Sequence, residues 1–193
     1  NRPNLGSIPW YELVVLKKRG RGWVRTEVEA TVDTGVGFRA PRLHIHDGRI
    51  WWLAVGEAPD REPVKSELVS VDSQGRDYRV HLTFPGAVEA AISPDFHRIA
   101  YKLDHQAWVT ALPKLGTEVK LGDLPKFKLT DVVGDWLGWS PDGQAVTWTA
   151  GSSFQRYALE GEGIPATPED DESKTDVIDP KLSRTPLGYS RPR

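Results

Sequence analysis

WSPDGQAVTW, Trp139 to Trp148, returns twice upstream in blurred form, as ISPDFHRIAY from Ile92 to Tyr101 and as LHIHDGRIWW from Leu43 to Trp52. Position 43 lies 49 residues before position 92, which lies 47 before position 139, a spacing typical of repeats that build propeller blades. The register inside each copy also holds. Seven residues beyond the three starts stand Ile50, Ile99 and Val146, and two residues further on stand Trp52, Tyr101 and Trp148. Strand alternation places each such pair on one face, so the pattern predicts one structural unit used three times, with that face packed between neighbouring units.

The turns within the copies have a physical reading. In SPDG, Pro141 fixes φ, Asp142 can bond nearby backbone, and Gly143 accepts a positive φ before the next strand begins. The second copy replaces the glycine in Asp95-Phe96-His97, and the first shifts Asp47-Gly48 by one residue, so the first turn is expected to have a different shape.

Outward from these repeats, the strand pattern gives units over about 38–84, 87–130 and 135–160. Each reads as short β-rich runs without a helical period. The runs are RLHI, RIWWLAV, ELVSVD and YRVHLTF in the first, and VEAAI, RIAYKL, QAWVTAL and KFKLT in the second. The third gives DWLGW, QAVTWTA and FQRYALE, and so lacks an outer strand. The stretches GEAPDREPVK and LPKLGTEVKLGDLP read as loops. Before the repeats, residues 10–32 form an expected hairpin whose tip carries Lys17, Lys18, Arg19 and Arg21 near Trp23. Beyond residue 160 the chain turns Pro-rich and charged, with the acidic run Glu169-Asp170-Asp171-Glu172. Residues 161–193 are therefore expected to be a linker or tail, with one short strand near Asp176 to Ile178. The expected fold is all-β: a partial β-propeller of about three to four four-stranded antiparallel blades, some incomplete, over residues 1–160.

Composition narrows the function classes. Hydrophobic residues make up 38% and charged residues 27%, with 8 Trp, which is a globular balance rather than a disordered one. A net charge of -2 supplies no global basic field, and charge at a hairpin tip reads as a solvated turn, so no nucleic-acid partner is expected. No apolar run reaches the length of a membrane span, and no membrane insertion is expected. With no Cys, disulfides, thiolate metal sites and cysteine nucleophiles are impossible. The absence of Met even at position 1 reads as an excised or partial piece of a longer protein.

Candidate chemistry is sparse. His44-Ile45-His46 places two imidazoles on one strand face, where they could hold zinc or nickel, but zinc needs three or four ligands. In the repeat alignment these residues take the places of Ser93 and Asp95, which puts His46 in the turn. Ser93, His105 and Asp95 could be drawn as a triad, yet no nucleophile elbow or oxyanion hole accompanies them. GVGF at Gly35 to Phe38 lacks the third glycine of a dinucleotide fingerprint. The acidic run at 169–172 reads as hydrated. Trp51 and Trp52 are adjacent and so face opposite sides of a strand, one toward a core and the other toward a blade surface or interface. Trp136 and Trp139 flank the innermost strand of the third unit, where packing between blades is the expectation. No catalytic, cofactor-binding or metal residue is assigned, and no cofactor is expected.

SPDG followed by a strand of the xxVxW or xxIAY type, repeated every 47 to 49 residues, resembles the TolB-like, WD-like family of β-propellers, which place S-P-D-G between the innermost and second strands of each blade. The resemblance covers about 38–159. The text of Asp77 to Phe84, Ser93 to Asp95 and Gly134 to Leu159, followed by a charged tail, is more closely similar to the propeller half of large bacterial amidohydrolases. That likeness implies a non-catalytic accessory segment acting in domain or partner interaction, in a periplasmic or secreted protein, with the cytoplasm left open. Its implied partner is the missing part of the same chain, with further blades and a hydrolase domain, or another protein. The metal-binding barrel of such hydrolases, with its His-x-His strand, falls outside this sequence. Two alternatives stand beside this reading: a fragment of a metal-dependent hydrolase using His44 and His46, and a freestanding TolB-like interaction module.

Overall fold

The computed structural model describes residues 13–27, 42–55, 65–87, 89–113, 118–130, 134–159, 161, 164 and 180–188. Among these, every regular element is a β-strand apart from one short 3-10 turn at Leu121–Asp123, so the chain is all-β. It divides into two compact units, residues 1–88 with 113–121, and residues 89–112 with 122–193.

The first unit opens with a hairpin of β1 (Val14–Arg19) and β2 (Gly22–Glu27). Its pairing closes at Arg19 opposite Gly22, so only Gly20 and Arg21 form the tip, and Gly20 has φ 64. Lys17, Lys18 and Arg19 are strand residues rather than tip residues, because the two-residue turn lets pairing run further than the charges suggest. Val15 packs, with Leu13, onto a core of Ile50, Trp52, Val69 and Val71. That core belongs to an antiparallel series of β3 (His44–His46), β4 (Arg49–Val55), β5 (Lys65–Asp72) and β6 (Arg79–Pro85). The strand β10 (Val119–Lys120) then joins β6 in parallel, opposite Leu82 and Thr83. This strand falls inside the stretch read from sequence as a loop; two residues are too few to show any period. Of the expected loop 56–65, Lys65 opens β5, and residues 56–64 lie outside the described residues, as does the segment 28–41.

The second unit holds two four-stranded antiparallel sheets. One is β7 (Glu89–Ile92), β8 (Arg98–Leu103), β9 (Gln106–Ala111) and β11 (Lys126–Thr130). The other is β12 (Asp135–Trp139), β13 (Ala145–Ala150), β14 (Ser153–Ala158) and β15 (Leu182–Pro186). Leu182 pairs with Tyr157 and Pro186 with Ser153. The third repeat therefore has an outer strand, and it comes from the segment expected to be tail. A polar strand ending in Pro, far along the sequence, can serve only at an edge, which is why its alternation is silent. The strand expected at 176–178 lies outside the described residues, as does the acidic run at 169–172.

Apolar residues from both sheets of the second unit meet in one core. Ala100, Ala107, Val109, Phe127 and Leu129 come from the first sheet and its neighbourhood, and Leu137, Val146, Trp148, Tyr157 and Leu159 from the second. Their innermost strands β7 and β12 lie side by side: Trp139 Nε1 donates to the Ala91 carbonyl at 2.8 Å and the Leu137 N–H to Glu89 Oε1 at 3.0 Å. Successive four-stranded meanders with adjacent first strands and a shared inter-sheet core are propeller blades, and the fold is a partial β-propeller. All six residues of the repeat alignment, Ile50, Trp52, Ile99, Tyr101, Val146 and Trp148, are buried.

Candidate functional site

The most elaborate polar arrangement sits inside the first sheet. Arg49 begins β4 with its side chain buried among β-strands. Its Nε donates to Ser70 Oγ at 2.8 Å, and its Nη2 to the carbonyl oxygens of Asp77 at 2.6 Å and Ser70 at 3.3 Å. Nη1 pairs with Asp77 Oδ2 at 2.8 Å, an oxygen that Arg79 also reaches at 2.6 Å. Beyond Ser70, its Oγ lies 2.7 Å from His81 Nε2, and the His81 ring stacks on Trp51 with centroids 4.1 Å apart. Strand register explains the meeting: Trp51 stands opposite Ser70, and His81 is the extra residue of a β-bulge, since Leu68 pairs with Leu82 but Val69 with Val80. The bulge turns His81 inward where alternation would point its neighbours.

Electrostatics give this cluster a structural rather than a catalytic character. Burial, and then the positive charges of Arg49 and Arg79, lower the His81 pKa to about 4. Hydrogen bonds from Arg79 and then Arg49 hold the Asp77 carboxyl below its ordinary value. Ser70 and His81 both have 0% exposure, so no substrate reaches the hydroxyl, and the arginine rather than a carboxylate stands beside it. A base oriented by a carboxylate and an accessible nucleophile are the requirements of acyl transfer. Neither is met. Trp51 and Trp52 are both buried, so of the two places expected for the second tryptophan, blade surface or interface, an open blade surface is ruled out: the polar side of the sheet is as enclosed as the apolar side.

His44 and His46 both lie in β3, opposite Trp51 and Arg49. His46 is thus a strand residue and not a turn residue. The turn is the two-residue Asp47-Gly48 with φ 47 and 70, one residue later than the alignment with SPDG placed it. Burial, and then the Arg42 charge, lower the His44 pKa to about 4, and His46 Nε2 lies 3.4 Å from Asp47 Oδ2. Among the described residues no group of three or more His, Cys, Asp or Glu is placed to hold a metal ion.

Ser93 and Asp95 are turn residues. The Ser93 hydroxyl donates to Asp95 Oδ1 at 2.5 Å, Asp95 Oδ1 accepts from the His97 N–H at 3.1 Å, and Ser93 Oγ accepts from the Arg98 N–H at 2.9 Å. The SPDG turn repeats each bond: Ser140 to Asp142 at 2.5 Å, Gln144 N–H to Asp142 at 2.9 Å and Ala145 N–H to Ser140 at 2.9 Å. Burial alone would raise the Asp95 carboxyl, but the Ser93 hydroxyl and His97 N–H overcome it and hold it low; the Ser140 hydroxyl and then the Gln144 N–H do the same for Asp142. Phe96 takes the glycine position with φ 59 against 70 at Gly143. His105 belongs to the next turn, between β8 and β9, with φ 63. The drawn Ser-His-Asp set is therefore split between two turns.

One class of residue escaped the sequence reading. Arg49 and Arg98 occupy the same repeat offset, six residues beyond Leu43 and Ile92. Both are buried, and both clamp carbonyl oxygens. Arg98 donates from Nη2 to Gly143 at 2.8 Å and from Nη1 to Gly161 at 3.1 Å, with its Cζ 5.3 Å from the Trp139 ring centre. An arginine recurring at one offset was the available signal. The two tryptophans of β12 part company: Trp139 is half-buried against β7, while Trp136 is 64% exposed with φ 63. On the hairpin, Trp23 is exposed opposite Lys18, and Leu16 opposite Arg25.

No family model matches the chain, and no curated protein matches it. Among solved structures, the β-propeller domain of the trilobed protease from Pyrococcus furiosus is 15% identical at a TM-score of 0.41, over 64% of this chain and 41% of that one. The acylaminoacyl peptidase of Pyrococcus horikoshii is 13% identical at a TM-score of 0.43, over 80% of this chain and 26% of that one. The chain spans less than half the length of either of these solved structures.

Proposed function

We propose that this chain is a non-catalytic propeller segment that acts in domain or partner interaction, as the accessory propeller of an amidohydrolase-like or TolB-like protein would. The observation that carries the reading is the fate of its reactive side chains. Ser70 and His81 are sealed in the sheet, and Ser93, Asp95, Ser140 and Asp142 are spent on turn hydrogen bonds. The resemblance of the SPDG repeats supports the accessory role, and with it a periplasmic or secreted location.

The test is an activity assay on the purified chain with activated esters, peptide anilides and cyclic amides, with and without added zinc. The expected result is no turnover above buffer under any condition. Turnover that disappears in Ser70→Ala, or zinc-dependent turnover that disappears in His44→Ala, would overturn it.

A further inference from the structure

The hairpin of β1 and β2 runs on past the core that anchors it. Leu13 and Val15 pack at its base, whereas every residue from Leu16 to Arg25 is exposed, so both faces of the ribbon are open from the Leu16–Arg25 pair outward. Register assigns the side chains to those faces. Leu16 and Lys18 share one with Arg25 and Trp23, and Lys17 and Arg19 share the other with Val24. Cations therefore stand on both faces and, through Arg21, at the tip.

Lys17, Lys18, Arg19 and Arg21 form no ion pair among the described residues, and Trp23 makes no ring contact there. Arg25 differs, because Glu27 engages it at 3.4 Å. Lysine on a narrow ribbon can serve only to keep its borders from pairing with another chain. That role gives no place to Leu16, Trp23 and Val24, which are 60%, 66% and 45% exposed among the cations.

The order along the ribbon selects among anionic partners. From the tip inward come Arg21 and Arg19, then Lys18 paired with Trp23, then Lys17 with Val24, and then Leu16. A bilayer surface requires the reverse, with apolar groups deepest and cations level with the headgroups. An acidic peptide would meet the cations and leave the indole idle. A single nucleic-acid strand uses both, since its phosphates follow a run of cations and its unstacked bases offer flat faces to an aromatic ring. In a duplex those faces are covered by neighbouring bases.

We infer that the β1–β2 ribbon is a binding site for single-stranded nucleic acid, with a base stacked on Trp23 and phosphates held by Lys17, Lys18, Arg19 and Arg21. The expectation of no such partner took these charges for a solvated turn, but pairing places three of the four in a strand beside an aromatic. A net charge of -2 over the whole chain adds no wider attraction, so the ribbon alone carries the binding and salt weakens it steeply. The site goes beyond the interaction reading and does not depend on it: hydrolytic activity in the chain would sink that reading and leave this site standing.

The test follows the fluorescence anisotropy of a labelled thymidine dodecamer as the intact chain is added at several salt concentrations. Saturable binding is expected, with log K falling against log salt at a slope of about −3 for four cations on phosphates. Trp23→Ala should weaken binding at least about fivefold at unchanged slope and unchanged Tm, and Trp23→Phe should restore most of the loss. The double variant Lys17→Gln/Lys18→Gln should roughly halve the slope. No binding at low salt would overturn the proposal, as would equal affinity for the duplex of the same strand, or Trp23→Ala binding like the parent. Equal affinity for a polyglutamate peptide would make the ribbon a general anion patch, and a preference for phosphatidylserine vesicles a lipid one; either overturns it. Where Trp23→Ala lowers the Tm, the lysine double variant decides, and an unaltered slope there overturns the proposal.

Discussion

The sheet of β3 to β6 and the sheet of β12 to β15 each carry buried tryptophan on the second strand, Trp51 and Trp52 in β4 and Trp148 in β13, yet they fill their centres differently. Trp51 stacks on His81 beside Ser70 and the Arg49 guanidinium. Trp148 is surrounded by Val146, Tyr157, Leu137 and other apolar groups. The same strand order thus tolerates a polar or an apolar middle, but the terms differ. The apolar centre depends on volume, since an interior packed to crystal density cannot refill a removed ring. The polar centre depends on partners, since each buried group is costly once its mate is gone.

The largest effect expected is at the apolar centre. Trp148→Ala should cost about 3 to 5 kcal/mol in urea unfolding; a loss below about 1 kcal/mol would show a site that collapses or is wet, and would dissolve the contrast. Next comes the polar centre. Ser70→Ala removes the acceptor of Arg49 Nε and the partner of His81 Nε2, and should cost about 2 kcal/mol although its volume change is small. A cost below ~0.5 kcal/mol would mean the network is held by Arg49 and Asp77 alone.

Acid should then split the two sheets. His81 is lowered from 6.5 to about 4, so the unfolded chain takes up the proton first as pH falls. Its stabilising share is intact above about 6.5, drains between there and about 4, and is gone below. The loss should be roughly 3 kcal/mol. No histidine lies in β12 to β15, so amide exchange in β5 and β6 should quicken across that window while β13 and β14 hold. His81→Gln should reduce the slope and leave the share of His44 in β3, also lowered to about 4, and an unchanged slope would assign the dependence to His44. The smallest effect concerns the turns. Gly48 and Gly143 have the same φ of 70, and a Cβ would meet nothing within 4 Å at Gly48 and, at Gly143, Pro94 Cδ at 3.6 Å and the Asp95 carboxyl at 3.9 Å, all ordinary van der Waals contacts. Alanine at either should cost about 1 kcal/mol, and equal costs in circular-dichroism melts would show that the turn's shape does not matter to it.

How much of this was legible in the sequence follows from what leaves a period. Strands β4, β8 and β13 recur with buried residues at fixed offsets, and a repeat can be compared with itself; the all-β blades were readable for that reason. The SPDG turns were readable because proline, aspartate and glycine each act within four residues. What stayed silent depends on pairing between distant or very short segments. Val119 and Lys120 show no alternation, and Leu182 to Pro186 carry edge-strand chemistry that resembles a loop. The interior network was hidden because Arg49, Ser70 and His81 are usually surface types, and His81 faces inward only through a bulge that shifts register. Trp136 could be seen as an aromatic on an inner strand, but its outward aim is set by a φ angle that no residue pattern announces.

The edge strand β15 has a consequence for the order in which the molecule is made. Strand β14 ends at Ala158, and its partner begins at Leu182. During synthesis the donor and acceptor groups along that side of β14 therefore stay open while the intervening chain emerges, with the adhesive character of any bare strand border. Lengthening the tether adds little to the entropy of closing it, because that cost grows only with the logarithm of its length. Closure is thus cheap at equilibrium but late in time, and a ribosome that stalls before Leu182 would release a blade with one side still sticky.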